Sequence, residues 1–212
     1  MPEPTPRSGR VFAYVVVSDT GFAPNPFHRW CTLACCKPRI RRHARPGDLV
    51  VGLSSRCESV VYILEVQEKL TFDRYWNDSR FCAKRPDWKS RRLVERCGDS
   101  IYEPDGGGGF AQQRSQHWDH VRDQENVRSK RRDTSADAVL ASRNFVYFGG
   151  DGPVLPDELD FLHVARGHRS RFTQEQISKV REFFDALPRG IQGRPRRWSE
   201  QDTSWRPSCG SS

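Results

Sequence analysis

The side chains in this chain that could make or break a covalent bond are three closely spaced cysteines, two aspartates and three histidines. A cysteine can act as a nucleophile, and a nearby carboxylate or imidazole can move protons. The candidates are Asp19 and Asp48 as acid or base, Cys31, Cys35 or Cys36 as nucleophile, and His28, His43 or His168 as proton carrier. The sequence contains no H-x-E motif with a paired P-C-x-x-C, no complete phosphate loop and no dinucleotide fingerprint. An enzyme is therefore one hypothesis, and its reaction stays open.

His168 is the sharpest of the proton-carrier candidates because it lies in the sequence Arg166-Gly167-His168-Arg169. Flanking cations lower the pKa of an imidazole, which keeps it partly neutral and able to accept a proton. The same cations would equally suit a site at which His168 contacts a phosphate. Both roles remain open at this point.

The seven cysteines favour reduced thiols over a metal centre. Cys31, Cys35 and Cys36 resemble half of a zinc site, but no second Cys or His pair follows at the usual spacing. The segment His117-Trp118-Asp119-His120 holds metal-capable side chains, yet it lies in a strongly polar stretch that indicates a surface loop. We therefore predict no metal and no cofactor, and we expect buried or half-buried thiols.

A second set of residues has the types needed to bind a nucleobase and its phosphates. A base has a flat apolar face and a polar edge, so its site needs aromatic surfaces, short polar side chains and cations. The predicted stacking residues are Trp30, Trp76, Phe27 and Tyr75, next to Phe22 and His28. The predicted contacts to the base edge are Asp19, Thr20, Asn25 and Asn77. The predicted phosphate contacts are Lys37, Arg39, Arg41, Arg42, Arg166, His168 and Arg169. Alternatively, the aromatic residues cover the core and the arginines form a solvated edge.

The charge balance favours an anionic partner. Lys and Arg number 35 against 27 Asp and Glu, which gives a formal net charge of +8, and the planar guanidinium of arginine binds phosphate in bidentate fashion. DNA is the expected partner, with RNA as an alternative polymer. No apolar run approaches the roughly 20 residues that cross a bilayer, and Met1 to Arg10 lacks the apolar core of a signal peptide. We expect a cytoplasmic protein without membrane contacts.

The elements that must position these side chains are organised around a predicted β-hairpin, which begins at the turn Arg45-Pro46-Gly47-Asp48. Short apolar strands are predicted at 11–17, 48–53, 60–66 and 144–148, and one well-capped helix is predicted at 174–187. The first three strands are too apolar for an exposed edge and should share one sheet. This pattern predicts an α+β fold, with either a small curled mixed β-sheet or a small β-barrel, one clear C-terminal helix and long loops.

Composition divides the chain into one domain and two polar ends. Residues 1–10 are a Pro-rich leader, and residues 188–212 are rich in Arg, Pro and Ser without periodicity, so we expect a mobile leader and a disordered basic tail. Residues 11–187 form the single domain. Within it, residues at about 103–137 are expected to be a polar insertion that makes a long surface excursion.

Several motifs together resemble a known family. They are Tyr14-Val15-Val16, the run Asp19 to Phe27, the run Cys31 to Arg41, Gly47-Asp48, Tyr75-Trp76-Asn77-Asp78, Phe145 to Gly150 and Arg166 to Ser170. From about Val11 to Phe172, apart from residues 103–137, the chain resembles the second type of nucleotide-modification-associated domain. The resemblance implies a context in DNA base-modification systems, with DNA or a modified nucleotide and base-modification enzymes as partners, and brings no catalytic residue with it. The layout around the hairpin is also similar to PUA-like modules of the EVE and YTH types, which bind modified bases in an aromatic pocket.

These observations lead to three hypotheses. The first is a binding module for modified nucleotides or for nucleic acid with modified bases. The second is an enzyme that acts on a base or on a nucleotide modification. The third is a scaffold whose basic tail binds nucleic acid non-specifically. Convergence of Asp19, Trp30 and Trp76 on one pocket would favour the first.

Overall fold

The computed structural model describes residues 9–199, and residues 1–8 and 200–212 lie outside the described part. The strands are β1 (Val11–Val15), β2 (Cys31–Leu33), β3 (Leu49–Leu53), β4 (Val60–Glu65), β5 (Glu68–Leu70), β6 (Tyr102–Pro104), β7 (Phe110–Gln112), β8 (Val139–Ser142), β9 (Phe145–Tyr147), β10 (His168–Arg169) and β11 (Gly190–Ile191). The α-helices are α1 (Pro38–His43), α2 (Phe72–Asn77), α3 (Leu93–Arg96), α4 (Val127–Thr134) and α5 (Gln174–Ala186), with 3₁₀ turns at Ser79–Lys84, Gly149–Asp151 and Asp157–Leu162. The predicted α+β class is confirmed.

The largest sheet has six strands in the order β10-β1-β3-β4-β9-β11. β1 is parallel to β3 and β11 is parallel to β9, while the other neighbouring strands are antiparallel. The three strands predicted to share one sheet do lie side by side in it, as β1, β3 and β4. The outer strands β10 and β11 do not pair with each other, so the sheet is open in the described residues and the closed-barrel alternative is wrong for them.

Both faces of the six-stranded sheet are buried, which explains why its strands are continuously apolar. Successive side chains of a strand point to opposite faces. Val51 and Ile63 therefore pack on one side, against α5 and the turn at 157–162. Val50 and Leu64 pack on the other side, where they meet β2 and α1.

Helix α5 begins at the predicted capping box. The Thr173 hydroxyl accepts a hydrogen bond from the Gln176 backbone at 3.2 Å, and the Gln176 side chain accepts one from the Thr173 backbone at 3.0 Å. Ile177, Val180 and Phe184 are buried against the sheet, as their helical spacing predicts. None of the described helices has the length and the apolar character needed to span a bilayer.

A second sheet, with strand order β2-β8-β5, and the β6–β7 hairpin form the other part of the fold. They surround a core rich in aromatic side chains, and α2 packs against β6. The predicted N-cap of α2 is present, since the Thr71 hydroxyl accepts a hydrogen bond from the Arg74 backbone. This part of the fold lies next to the candidate site.

Residues 103–137 are an ordered and partly buried part of the fold, which corrects the expectation of a surface excursion. They contain β7 and α4, and Gln112 and Asp133 are buried. Hydrogen bonds from side chain to backbone hold the segment. The Asp105 carboxylate accepts from two glycine N–H groups of the four-glycine run, and Gln112 accepts from the backbone of Asn126. Polar composition indicated a loop because such local hydrogen bonds leave no apolar periodicity in the sequence.

The chain after α5 also folds back onto the domain. β11 pairs with Val146 and Tyr147 of β9, and the Trp198 ring, only 8% exposed, stacks on Phe27 at 5.3 Å between centroids. The expectation of disorder from residue 188 is therefore wrong for the described residues up to 199. The pairing of β11 with β9 and the burial of the Trp198 ring order this segment despite its polar composition. Residues 200–212 of the expected tail lie outside the described part.

Candidate functional site

A cavity of about 510 Å³ opens between the end of β1 and the start of α1, and we call it the Cys36 cavity. Tyr14 and Phe22 contribute aromatic surface to its lining, and Thr20, Cys36 and Lys37 contribute polar groups. The polar segment before α4, together with α4 itself, supplies three more polar lining residues, Gln116, His117 and Arg132. The cavity thus combines residues from both halves of the chain.

The turn between β2 and α1 presents Cys36 to this cavity. Cys36 and Lys37 both have left-handed backbone conformations, with φ of 58° and 41°, which for non-glycine residues costs about 1–3 kcal/mol each. Pro38 starts α1 immediately afterwards, where its fixed φ suits the first helical position. Two hydrogen bonds hold the turn, because the Cys36 N–H donates to Asp133 Oδ1 at 2.9 Å and Arg41 Nε donates to the Cys36 carbonyl at 2.8 Å.

Cys36, His117 and Asp133 form a continuous chain of polar contacts. The Cys36 Sγ atom lies 3.6 Å from His117 Nε2, and His117 Nδ1 lies 2.8 Å from Asp133 Oδ2. The His117 ring also packs edge-on against Phe22, at 4.7 Å between centroids. This is the order of groups in which a nucleophile contacts a base and a carboxylate orients that base.

The carboxylate of Asp133 is fully buried and has partners on every side. Besides His117 it accepts hydrogen bonds from the Cys36 backbone, from Arg132 Nε at 2.9 Å and from the Tyr102 hydroxyl at 2.8 Å. Burial alone would raise the pKa of Asp133, but the hydrogen bonds from His117 and Arg132 lower it to about 2. Burial alone would lower the pKa of His117, but its hydrogen bonds with Asp133 and Cys36 raise it to about 9. At neutral pH the pair is therefore a carboxylate and an imidazolium.

Arg132 adds a second positive charge beside the thiol. Its Nη2 atom lies 3.3 Å from both ring nitrogens of His117 and 3.9 Å from Cys36 Sγ. Across the cavity, Gln116 Oε1 accepts a hydrogen bond from the Thr20 hydroxyl at 2.6 Å. Within the described residues, the Gln116 amide NH₂ group has no hydrogen-bond acceptor, so a ligand can accept from it.

Cys35, His117 and Asp133 also place three potential metal-ligand atoms within 4.8 Å of one another. The residues fit a metal poorly. Cys35 is fully buried, its thiol donates to the Asp99 carbonyl at 3.5 Å, and burial raises its pKa well above the ordinary value, whereas a metal needs a thiolate. The guanidinium of Arg132 beside His117 would also repel a cation.

An open depression of about 640 Å³ lies on the exposed side of α4, lined by Val127, Arg128, Arg131, Arg132 and Ser135, and we call it the α4 basic face. These positions follow one side of the helix at spacings of three and four residues. Lys130 and Arg132 pair with Glu125 and Asp133, whereas Arg128 and Arg131 are exposed and form no ion pair with any described residue. Arg132 lines both this face and the Cys36 cavity.

Comparison with known proteins assigns the family. A family model described as nucleotide modification associated domain 2 matches residues 8–202, which is most of the chain. The chain belongs to this family. No curated protein and no solved structure has significant similarity to it.

The nucleotide modification associated domain 2 match is wider than the motifs of the sequence suggested. It includes residues 103–137, which carry His117 and Asp133, and it includes the segment after α5 that contacts Asp19 and Phe27. The whole Cys36 cavity therefore lies inside the family domain.

The predicted stacking residues serve the fold of this domain instead of a shared pocket. Phe27 lies under Trp198, and Tyr75 donates its hydroxyl hydrogen bond to Asp99 at 2.6 Å. Trp30 is 7% exposed and packs against Phe81. Trp76 is half-buried beneath the Arg85 guanidinium. None of these four rings lines the Cys36 cavity, so none of them supplies its aromatic surface.

The predicted polar contacts to the base edge are scattered. Thr20 lines the Cys36 cavity, but Asn25 is fully buried and its side-chain oxygen accepts from Lys84 at 2.6 Å. Asn77 is exposed and contacts Asp73. Asp19 faces a neighbouring cavity of about 330 Å³, where it accepts hydrogen bonds from the Tyr147 hydroxyl and the Arg196 backbone. Burial raises the pKa of Asp19.

The predicted phosphate contacts divide into exposed and buried residues. Lys37 lines the Cys36 cavity with its ammonium 4.4 Å from the Tyr14 ring centroid. Arg41 has no exposed surface and donates hydrogen bonds to four backbone carbonyls, at Cys36, Asp133, Ala136 and Ala138. Its role as a phosphate contact is wrong, because no anion can reach it in this structure. The exposed members are Arg39, Arg42, Arg166 and Arg169.

The remaining catalytic candidates do not meet in one place. Asp48 is buried in the turn before β3, where the Arg10 and Arg45 backbone N–H groups donate to it. His168 is half-buried in β10, opposite Tyr14, and burial together with the charges of Arg39 and Lys37 lowers its pKa. Among the cysteines, Cys31 and Cys35 are fully buried with raised pKa values, and Cys36 lines the cavity.

Sequence reasoning missed the partners of Cys36. The sequence indicates His117 only as a potential metal ligand, and it places Arg132 and Asp133 in the polar insertion. Asp133 lies 97 residues from Cys36 and 16 from His117, so spacing gives no motif. The signal in the sequence is Asn126 as a possible N-cap, because a helix that begins there places Arg132 and Asp133 together in its last turn.

Proposed function

We propose that this domain binds nucleic acid that carries a modified base, with the base in the Cys36 cavity and the phosphates on the α4 basic face. The observation that carries the proposal is the position of Arg132, which lines both the Cys36 cavity and the α4 basic face. A ligand that enters the cavity would have its backbone next to exposed arginines. Family membership supports the assignment, because the family description links the chain to nucleotide modification.

The cavity has the chemistry that a base requires. Its volume of about 510 Å³ lies within the range of about 300–1,000 Å³ that is usual for small-ligand sites. Tyr14 and Phe22 supply aromatic surface. Lys37, Thr20 and Gln116 supply donors and acceptors that could contact the edge of a base and its substituent.

The basic face has the chemistry that phosphates require. Arg128 and Arg131 have no acidic partner among the described residues, so binding a phosphate does not require them to break an ion pair. α1 packs against α4 and adds the exposed side chains of Arg39 and Arg42. Each phosphate contact of this kind releases condensed counterions, so affinity should fall with salt.

The test is fluorescence anisotropy with single-stranded oligonucleotides that contain either plain or hydroxymethylated cytosine. The double variant Arg128→Glu/Arg131→Glu should bind both about tenfold or more weakly, and the dependence of log affinity on log salt should flatten by about one per lost contact. Arg56→Glu is the matched control, because Arg56 is exposed but lines neither surface. Equal affinities for the double variant and the wild type would contradict the proposal.

A cavity variant separates recognition of the base from attraction of the phosphate. Thr20→Val keeps the shape of the side chain and removes the hydroxyl that contacts Gln116. It should reduce the preference for the modified oligonucleotide while the affinity for the plain one stays within about twofold. If the double arginine variant loses binding but no cavity variant alters base preference, the α4 basic face binds nucleic acid without recognition of the base, and the cavity part of the proposal is wrong.

A further inference from the structure

We propose that the domain is a thiol enzyme in which Cys36 is the nucleophile, His117 the proton donor and acceptor, and Asp133 a positioning residue, and that it hydrolyses an acyl group carried by a nucleotide. The inference deepens the proposed function, since the substrate class rests on nucleotide binding in the same cavity. The reactivity of the thiol, however, can be measured without any nucleotide.

The three side chains have the contacts that this mechanism needs. Cys36 Sγ lies 3.6 Å from His117 Nε2. The imidazole is therefore next to the attacking sulfur and can donate a proton to the leaving group. His117 Nδ1 contacts the buried carboxylate of Asp133 at 2.8 Å, which fixes the tautomer and the orientation of the ring. Cys36 lines a cavity large enough for a substrate, so the thiol is accessible.

Two cationic side chains lie beside the Cys36 thiol. Arg132 and protonated His117 place two positive charges near Cys36 Sγ. The left-handed backbone of Cys36 and Lys37 is held from both sides by Asp133 and Arg41, so the nucleophile keeps one position. Residues with unfavourable backbone conformations that several surrounding contacts hold in place cluster at active sites.

The cavity also offers groups that could stabilise an oxyanion. Gln116 directly precedes His117 in sequence. Its side-chain oxygen accepts a hydrogen bond from Thr20, and its amide NH₂ group has no acceptor among the described residues. Lys37, the residue after Cys36, lines the same cavity, and its ammonium donates a hydrogen bond to the Val15 carbonyl at 3.3 Å. Side-chain amides and cations next to a nucleophile stabilise the negative charge of a tetrahedral intermediate.

The reaction is an acyl transfer to water without any redox step. The Cys36 thiolate attacks the carbonyl carbon of an amide, a C–S bond forms and the carbonyl oxygen takes the negative charge. The C–N bond then breaks, and the leaving amine takes the proton of His117. Neutral His117 next removes a proton from water, the resulting hydroxide attacks the thioester carbon, and the C–S bond breaks. A carboxylic acid leaves, and the Cys36 thiolate and the His117 imidazolium are restored.

The first experiment measures the alkylation of each cysteine by iodoacetamide at neutral pH, with peptide mass spectrometry. Cys82 is the internal control because it is exposed, whereas Cys36 is only partly exposed. Cys36 should react at least about tenfold faster than Cys82 despite its lower exposure. Alkylation of Cys36 no faster than that of Cys82 would overturn the proposal.

Two histidine variants assign the cause of that reactivity. In His117→Ala the Cys36 rate should fall to that of Cys82, while His120→Ala, in the same segment but in contact with Ser115 and Trp88, should leave it unchanged. The buried thiols of Cys31, Cys35 and Cys97 report on folding, because they stay unmodified only in a folded variant. Equal effects of both variants in folded protein would count against the assigned role of His117.

The second experiment uses p-nitrophenyl acetate, an activated ester that needs no nucleotide recognition. The wild type should acquire an acetyl group on Cys36 and turn the ester over, and Cys36→Ser should do neither. Turnover by folded Cys36→Ser, or no acetylation of Cys36, would overturn acyl transfer. Stoichiometric zinc that is lost in Cys35→Ala would instead identify a metal centre and overturn the proposal as well. If Cys36 is reactive but an oligonucleotide does not protect it from iodoacetamide, the result contradicts nucleic-acid binding in the Cys36 cavity and leaves the thiol chemistry in place.

Discussion

Protonation of His117 makes the stability of the fold depend on pH. Its pKa rises from 6.5 to about 9 on folding, so its contribution to stability is fully present below pH 6.5 and is lost as the pH rises through 9. The pKa of Asp133 falls from 3.8 to about 2, so its contribution is present above pH 3.8 and is lost as the pH falls through 2. The pair stabilises the protein most between pH 3.8 and 6.5.

We predict that replacing His117 removes most of the stability loss at high pH. The wild type should lose on the order of 2 kcal/mol of unfolding free energy between pH 6.5 and 9, and His117→Gln should lose much less. The measurement is urea unfolding at the two pH values. His120→Gln is the control and should follow the wild type, so the same pH dependence in all three proteins would refute the prediction.

Lys84 is a second residue whose role depends on burial. Its ammonium is fully buried and donates to the Asn25 side chain at 2.6 Å, the Trp30 carbonyl at 2.6 Å and the Asn25 carbonyl at 2.9 Å. We predict that Lys84→Met lowers the unfolding free energy by about 3–5 kcal/mol, because three buried acceptors lose their donor. Thermal unfolding of Lys84→Met beside the exposed control Lys89→Met tests this, and a difference within about 0.5 kcal/mol would refute it.

Arg41 and Lys84 show what residue types alone cannot predict. Both are cations in a basic, polar sequence, and that composition indicates a solvated or phosphate-binding surface. The structure buries both completely, because each satisfies several backbone carbonyls of loops that lack regular partners. Of the residues that the sequence indicates as site candidates, only Lys37, Thr20, Phe22, Cys36 and the metal-capable His117 line the Cys36 cavity.

At the scale of elements, α4 carries the site, since Arg132 and Asp133 lie in its last turn. Its N-cap is Asn126, whose side chain accepts a hydrogen bond from the Ser129 backbone at 3.0 Å. We predict that Asn126→Ala destabilises the helix by about 1 kcal/mol and slows the alkylation of Cys36 severalfold. Ser135→Ala, after the helix, is the control and should leave the rate unchanged. An unaltered Cys36 rate in Asn126→Ala would show that α4 does not position the site.

Elements with strong periodicity were predictable, and elements held by polar contacts were not. The hairpin of β3 and β4 and the capping box of α5 follow from apolar runs and cap residues, and they appear close to the predicted positions. β6, β7 and α4 left no such pattern. Asp105, Gln112 and Asn126 order them through hydrogen bonds to nearby backbone, and turn chemistry of this kind looks like a loop in sequence.

At the scale of the whole molecule, the segment after α5 completes the fold. Arg196 donates its backbone N–H to Asp19 at 2.9 Å, and Trp198 covers Phe27. We predict that Trp198→Ala lowers the unfolding free energy by about 3 kcal/mol or more, as expected for a large buried ring. Removing residues 189–212 should lower it at least as much. Thermal unfolding of both, with Trp88→Ala as a half-buried control, tests this. Unchanged melting would show that the segment does not stabilise the domain.

The position of β11 and Trp198 has a consequence for biosynthesis. Ribosomes make the chain from its N-terminus, so the hairpin of β3 and β4 emerges early and can pair locally. The outer edge of β1 gains its partner only when β10 has been made, and the outer edge of β9 only when β11 has been made. Phe27 and the carboxylate of Asp19 remain uncovered until residues 196–198 have left the exit tunnel. Until then the nascent domain exposes an apolar surface, and transiently exposed surface of this kind promotes aggregation.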